Sequence, residues 1–421
     1  MSSRNQAAVS RGLTSQGPLA QTISGAGAPD SLTGTDGDDL LLGKDGADTL
    51  SGGLGADRLV GGDGDDILGG GDGDDTLVGG RGSDRFGAGL GNDVVDGGQG
   101  VTDLLSYGGA ASGVTIDLRI TGPQDTGGSG IDTVVGIENL GGTDFDDVIT
   151  GDEAGNFIIG FGGHDLIQGG DGHDRLWSSG GVSTLLGGRG DDQLQADGDD
   201  LVQGGKGRDF IQATYGASLV QGGAGADVFS IQSGQNTVEG GEGDDFFTVV
   251  AEGNRVYGDD GNDLISLLSA SEADATIDGG AGDDHLTGWG VLLGGLDADV
   301  LEGVGIAGAL IGGAEADTLS GGYGDSLRGG GGADTFLAVD WSSHALVMDL
   351  EAQDVIDLSA RIPGAAPMVV SAFSGAAGEV VLVYDRESRT TYVMVDPDGD
   401  GLGEGCLILK GDHRDFDNFV A

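Results

Sequence analysis

The sequence predicts an all-β fold: a parallel β-roll, or β-solenoid, of nonapeptide repeats, two per coil, with a C-terminal β-rich cap. Three observations predict it. Glycine supplies 92 of 421 residues, and the glycines fall on a nine-residue rhythm. An acid and an aliphatic residue recur at fixed offsets in that rhythm, in the frame G-G-x-G-x-D-x-U-x with U aliphatic or aromatic. Acidic residues outnumber basic ones 71 to 18, a formal charge of −53, so order requires something that neutralises the charge.

The elements follow in chain order. Residues 1–24 contain no apolar run and read as a flexible lead, without the h-region of a cleaved secretory signal. Residues 25–105 read as a first roll. Its units begin at Gly34, Gly43, Gly52, Gly61, Gly70, Gly79, Ala88 and Gly97, after a decayed copy that keeps Asp30 and Leu32. The last unit closes the run, with Thr102 in the place of the aspartate. Residues 106–141 break the rhythm and read as a connecting insert, in which VTIDLRI alternates like a half-buried strand.

Residues 142–337 read as a second roll. Good copies start at Gly169, Gly187, Gly204, Gly222, Gly240, Gly258, Gly279, Gly294, Gly312 and Gly329, in steps of 18, 17, 18, 18, 18, 21, 15, 18 and 17. Between them lie degenerate units such as ATYGASLVQ, IQSGQNTVE and VVAEGNRVY, which keep the eighth apolar residue and lose the acid. The steps of 21 and 15 predict a bulged coil followed by a short one. Residues 338–421 read as a cap. In it VVLVYDRESRTTYVMV forms a hairpin and VDPDGDG a tight acidic loop.

The spacing has a physical reading. Glycines at positions one, two and four permit a tight turn and close backbone approach. Residues seven to nine form a short strand whose eighth side chain points inward. One unit cannot bury its lone apolar residue, so two units make a coil and coils stack. Each turn then lies over the turn 18 residues later, and stacked carboxylates about 5 Å apart repel unless a cation sits between them. A hard divalent ion with six to eight oxygen ligands fits two carboxylates plus turn carbonyls, which favours Ca2+ over the stricter Mg2+. Without clustered Cys or His, zinc is not expected.

The candidate metal ligands are therefore the sixth-position acids. In the first roll they are Asp39, Asp48, Asp57, Asp66, Asp75, Asp84 and Asp93. After the insert come Asp147, Asp165, Asp174, Asp192 and Asp209. The run continues with Asp227, Asp245, Asp263 and Asp284, and ends with Asp299, Asp317 and Asp334. Two late units carry Asp297 and Glu315 at the fourth glycine position. Calcium is expected on both edges of the first roll and on one edge of most of the second.

GGDGDDILG and GGDGDDTLV resemble the nonapeptides of RTX (repeats-in-toxin) proteins, over roughly Gly34 to Leu337. The tail resembles the C-terminal part of serralysin-like members, through DVIDLSA, AFSGAAGEVVLVYD, VDPDGDG and the terminal DNFVA. The resemblance implies a parallel β-roll, calcium-dependent folding, and export by a type I secretion apparatus that reads an uncleaved C-terminal signal. A secreted, extracellular, non-catalytic protein is then expected, associated with a cell surface or an extracellular polysaccharide.

Other features weigh less. His164 and His173 stand at the variable fifth position, where no metal or catalytic role is expected. Trp177, Trp289 and Trp341 read as packing or edge residues, and Cys406, the only cysteine, as a buried strand residue. Asp396, Asp398 and Asp400 open like an EF-hand loop, but Leu407 stands where its glutamate is needed, which leaves a lone calcium or an acidic turn.

Few basic residues argue against nucleic acid, and no run approaches the roughly 18 apolar residues of a membrane span. H-E-x-x-H, G-x-S-x-G and P-loop motifs are absent. Two other readings stay open. One is a polysaccharide lyase or epimerase on a β-helix, using Tyr215 or Tyr257; the other is an adhesin.

Overall fold

A computed structural model describes residues 20–420 except 101, 251–252, 269–274, 305–306, 340–343 and 364–365. Trp341, most of the N-terminal lead and the side chain of Cys406 therefore lie outside the described parts. The described residues form strands and turns, and none of them is helical. The chain divides into two compact units, Met1–Gly205 and Lys206–Ala421.

In the first unit, parallel strands pair with the strand one coil away. Thr22–Ser24, Leu40–Asp45, Arg58–Asp63, Thr76–Arg81, Val94–Gln99 and Ile131–Val135 make one ladder. The opposite ladder runs from Ser31–Thr33 through Thr49–Leu54, Ile67–Asp72 and Arg85–Leu90 to Leu104–Ser106 and Asn139–Gly141. The register is one coil per rung, as in Leu59 opposite Leu77 and Leu50 opposite Leu68. Eighth-position side chains such as Leu41, Leu59, Leu68 and Leu77 are at most 1% exposed and form the core.

Four details go beyond the sequence reading. The strands run for six residues rather than three, across the ninth position into the glycines of the next unit. Inside them the first glycine also faces inward and is buried, as at Gly61 in Arg58–Asp63. Thr22–Ser24 already pairs with Leu40–Asp45, inside the segment read as a lead. The interval 106–141 supplies rungs to the two ladders through Ile131–Val135 and Asn139–Gly141. VTIDLRI contributes the strand Thr115–Asp117, with Val114, Ile116 and Leu118 buried, paired to Val148–Thr150.

The second unit repeats the arrangement. One ladder holds Phe210–Ala213, Val228–Ile231, Phe246–Val249, Leu264–Leu267, His285–Gly288 and Val300–Gly303. The other runs from Leu219–Ala224 through Thr237–Glu242, Arg255–Asp260 and Thr276–Ala281 to Val291–Leu296 and beyond. The irregular steps of 21 and 15 leave the ladder intact: Arg255 pairs with Thr276, and Thr276 with Val291. Most of the extra residues of the long step fall in 269–274, outside the described residues.

The cap is an antiparallel sheet of Glu379–Asp385, Thr390–Asp396 and Glu404–Lys410. The first two are the expected hairpin. The third contains Cys406, read from the sequence as a strand residue, and it docks the sheet in parallel onto Ala345–Val347. The terminal Phe419–Val420 forms the last rung beside Val355–Asp357.

Candidate metal centres

Each sixth-position aspartate folds over the turn one coil upstream. The N–H of Asp39 donates to Oδ1 of Asp57 at 2.7 Å, that of Asp57 to Asp75 at 2.7 Å, and that of Asp75 to Asp93 at 2.8 Å. Asp48, Asp66 and Asp84 repeat the ladder on the other edge. In the second unit one ladder runs without a break from Asp209 through Asp227, Asp245, Asp263, Asp284, Asp299 and Asp317 to Asp334. Aspartate makes nearly all of these contacts, and at one rung Glu138 takes the same part, accepting from the N–H of Asp103 at 2.9 Å.

The second carboxylate oxygen is the informative atom. Oδ2 of Asp48, Asp57, Asp66, Asp75, Asp84 and Asp93 is buried and accepts no hydrogen bond. The same holds for Asp165 and Asp174, and for Asp227, Asp245, Asp263, Asp284, Asp299 and Asp317. Buried carboxylate oxygens without a donor are strongly disfavoured. They sit among other oxygens. A methyl group placed on Gly52 would collide with Oδ2 of Asp57 and come 2.6 Å from the Gly70 carbonyl oxygen. Gly222 stands in the same relation to Oδ2 of Asp227 and the Gly240 carbonyl. The first glycine therefore holds open a cradle lined by one carboxylate oxygen and a carbonyl from the next turn. The donor set is all oxygen, and the residues fit a hard divalent cation such as Ca2+.

Electrostatics agree. In the absence of a cation, burial pushes the carboxyl groups of Asp66, Asp75 and Asp84 up to about 6 and that of Asp93 to about 7, offset in part by the backbone donor and reinforced by neighbouring carboxylates. Asp245, Asp284 and Asp299 reach about 7 for the same reasons. A cation beside these carboxylates would counter the cost of burial and bring them back down, which favours the ionised form.

The remaining predicted acids differ in their surroundings. Asp39 and Asp147 are satisfied internally: Oδ2 of Asp39 accepts from the N–H and hydroxyl of Thr35, and Asp147 accepts from both donors of Thr143. Asp192 and Asp334 stand in the same ladders, with Oδ1 accepting from Asp174 and Asp317. Asp297 and Glu315 both take the left-handed φ of 72° otherwise left to glycine, so the turns at Asp299 and Asp317 keep their shape.

Sequence reading missed several members. Asp103, not Thr102, continues the ladder, because one extra residue precedes it; its Oδ1 accepts from Asp84 and its Oδ2 is orphaned. Asp132 ends the other edge, accepting from Asp93 through Oδ1 and from Thr126 through Oδ2. Asp325 accepts from Gly308 and Gly322, and Asp354 from Asp334 and Glu351. The signal was weak, because insertions move these acids off the nine-residue frame.

The degenerate units close their edge without a carboxylate. Asn236 Oδ1 accepts from the N–H of Ser218, and Asn254 Oδ1 accepts from both the N–H and the side-chain amide of Asn236. At their first position these units carry Ala213, Ile231, Val249 and Leu267, all buried, where the tight units have glycine or, at Ala88, alanine. An apolar side chain thus fills the inner corner that elsewhere forms the cradle.

The fifth position is also less free than its variability suggested. Oδ1 of Asp65 accepts from the N–H of Ser83, one coil downstream, and Asp74 and Asp244 do the same for Asn92 and Asn262. At His173 the acceptor is Nδ1, 2.8 Å from the Asp191 nitrogen. In the cap, oxygens of Asp396, Asp398 and Asp400 lie within 4.8 Å of one another, but both oxygens of the buried Asp396 accept loop amides, from Gly399 and Gly401.

Comparison with known proteins supports this geometry. RTX calcium-binding nonapeptide repeats match residues 33–68 and 69–102. The molecule is therefore an RTX-type calcium-binding β-solenoid that takes up multiple Ca2+ ions. The family described as the peptidase M10 serralysin C terminal matches residues 93–420, and the chain belongs to it. No curated protein matches the chain. Among solved structures, a hyperactive, Ca2+-dependent, β-helical antifreeze protein from an Antarctic bacterium is similar at 15% identity and a TM-score of 0.22, with 81% of this chain and 84% of that one covered.

Proposed function

We propose that this chain is a secreted, non-catalytic protein that leaves the cell unfolded, folds on Ca2+ outside, and associates with a surface or matrix. The column of buried, donorless Oδ2 atoms carries the reading. The ligands would be the sixth-position acids with orphaned oxygens, Asp103 included, with Asp192, Asp209 and Asp334 in the same ladders. Calcium supplies the positive charge that lets these carboxylates stay ionised and buried. The residues do the rest: the glycines keep the cradle open, and the Oδ1 atoms tie each turn to the next.

Metal binding then contributes folding free energy directly. Extracellular calcium modules bind at roughly 10⁻⁴ to 10⁻³ M, far above cytosolic free calcium. The chain stays threadable inside a cell and sets outside it. RTX-repeat and serralysin C-terminal families are typically extracellular and non-catalytic. Export through a type I apparatus, with the signal in the C-terminal cap, fits that placement. The test is far-UV circular dichroism during a calcium titration, with magnesium as control. A cooperative gain of β signal with calcium alone supports the proposal. A β spectrum indifferent to chelator sinks it.

A further inference from the structure

We propose that one face of the second unit is a docking surface for an uncharged, β-1,4-linked polysaccharide, which deepens the surface association proposed above and rests on it. The face is built by Phe210–Ala213, Val228–Ile231, Phe246–Val249 and Leu264–Leu267, four successive rungs of one parallel ladder. Their alternate side chains point outward. The seventh positions form one column of Phe210, Val228, Phe246 and Leu264. Phe210, Phe246 and Leu264 are 42%, 41% and 37% exposed. The ninth positions form a second column of Gln212, Ser230, Thr248 and Ser266 beside it.

No charged side chain stands in either column. That is unusual in a chain of formal charge −53. The opposite face of the same unit shows the contrast, since its outward residues include Glu239, Arg255 and Asp278. The neutral strip ends where His285 and Glu302 approach at 3.8 Å.

Chemistry selects the partner. A sugar ring offers C–H faces and a rim of hydroxyl groups, and the two columns offer aromatic faces beside hydroxyl and amide groups. Phe210 and Phe246 are two rungs apart, about 9.6 Å at the strand spacing. That is close to one disaccharide repeat of an extended β-1,4 chain, so both rings can stack on the same chain. Polyanions, and a second copy of the protein, are disfavoured by a chain of formal charge −53.

The test uses the full chain at saturating calcium. Depletion from suspensions of microcrystalline cellulose and chitin is measured, with alginate gel as the charged comparator. F210A/F246A alters the face, Y257A alters the opposite face, and circular dichroism follows every sample. Depletion by a neutral polymer is expected, weakened about tenfold in F210A/F246A and unchanged in Y257A. The proposal is overturned if the folded chain ignores both neutral polymers, prefers alginate, or binds F210A/F246A as well as the parent. A dimer in sedimentation that F210A/F246A dissolves overturns it too, since the face then belongs to a second copy. If circular dichroism shows a fold indifferent to calcium, the calcium reading fails separately and depletion still decides this one.

Discussion

The tight repeats of the first unit and the alternating repeats of the second solve one geometric problem in two ways. In both, a coil has an inner corner at each edge, set by the first residue of the unit. Between residues 43 and 97 that residue is glycine or alanine on both edges, and a carboxylate with a spare oxygen faces it. In the second unit one edge keeps this arrangement. The other fills the corner with Ile231, Val249 or Leu267 and closes with Asn236 and Asn254. The difference teaches that cation and apolar side chain compete for the same volume. Where a side chain as large as Ile231 or Val249 occupies the corner no cradle remains, and an amide, Asn236 or Asn254, replaces the acid. The second unit also has larger core groups, with Phe229 and Phe247 stacked at 4.4 Å.

The largest expected effect is that of calcium removal. Chelation should open the rungs between Leu40 and Gln99 to amide hydrogen exchange at the rate of an unfolded chain. The rungs around Phe229 and Phe247 should retain measurable protection. Equal loss in both regions would break the comparison. Next is Phe247→Ala, which deletes half of the stacked pair and should destabilise the second unit by about 3–5 kcal/mol with calcium bound, read by denaturant melts.

Gly70→Ala comes third. Its methyl group meets Oδ2 of Asp75 and the carbonyl of Ala88 at 2.5 Å. The expected loss is about 1–3 kcal/mol, with a higher calcium midpoint by titration calorimetry. Gly87→Ala is its control, because nothing lies within 4 Å of the added carbon. A change beyond about 0.5 kcal/mol there would contradict the open space around Gly87 on the outer face.

The pH effect has a definite sign. In the metal-free fold the carboxyls of Asp75 and Asp93 sit at about 6 and 7, above their ordinary value of 3.8. Protonation thus favours the fold. Residual structure without metal should be greatest below about pH 4 and fade as the pH rises through 6 to 7, followed by circular dichroism in chelator. With calcium present the order reverses, because protons and cations contend for the same oxygens. A chelated sample more ordered at pH 8 than at pH 4 would contradict the burial of these acids.

Much of this was legible in the sequence because the period is strict. Leu59 and Asp57 are fixed in role by counting from Gly52. Counting failed at Asp103, where one inserted residue hid a ladder member behind Thr102. It could not pair the third strand of the cap, Glu404–Lys410, of which only Cys406 was read as a strand residue, because this segment carries no glycine rhythm. Counting also gave no sign that Asp39 and Asp147, which match the frame, have their Oδ2 atoms hydrogen-bonded by Thr35 and Thr143.

By itself the sequence determined the coil length, the inward column and the chemical type of the ligands, since all three depend on spacing along the chain. Only the tertiary structure decided which carboxylates keep an unsatisfied oxygen and which corners are filled. It also decided where the outward columns of the second unit lose their charge. Those properties depend on atoms brought together from turns 15 to 21 residues apart. The balance between a buried carboxylate and an apolar side chain is settled there, by what the neighbouring coil places against it.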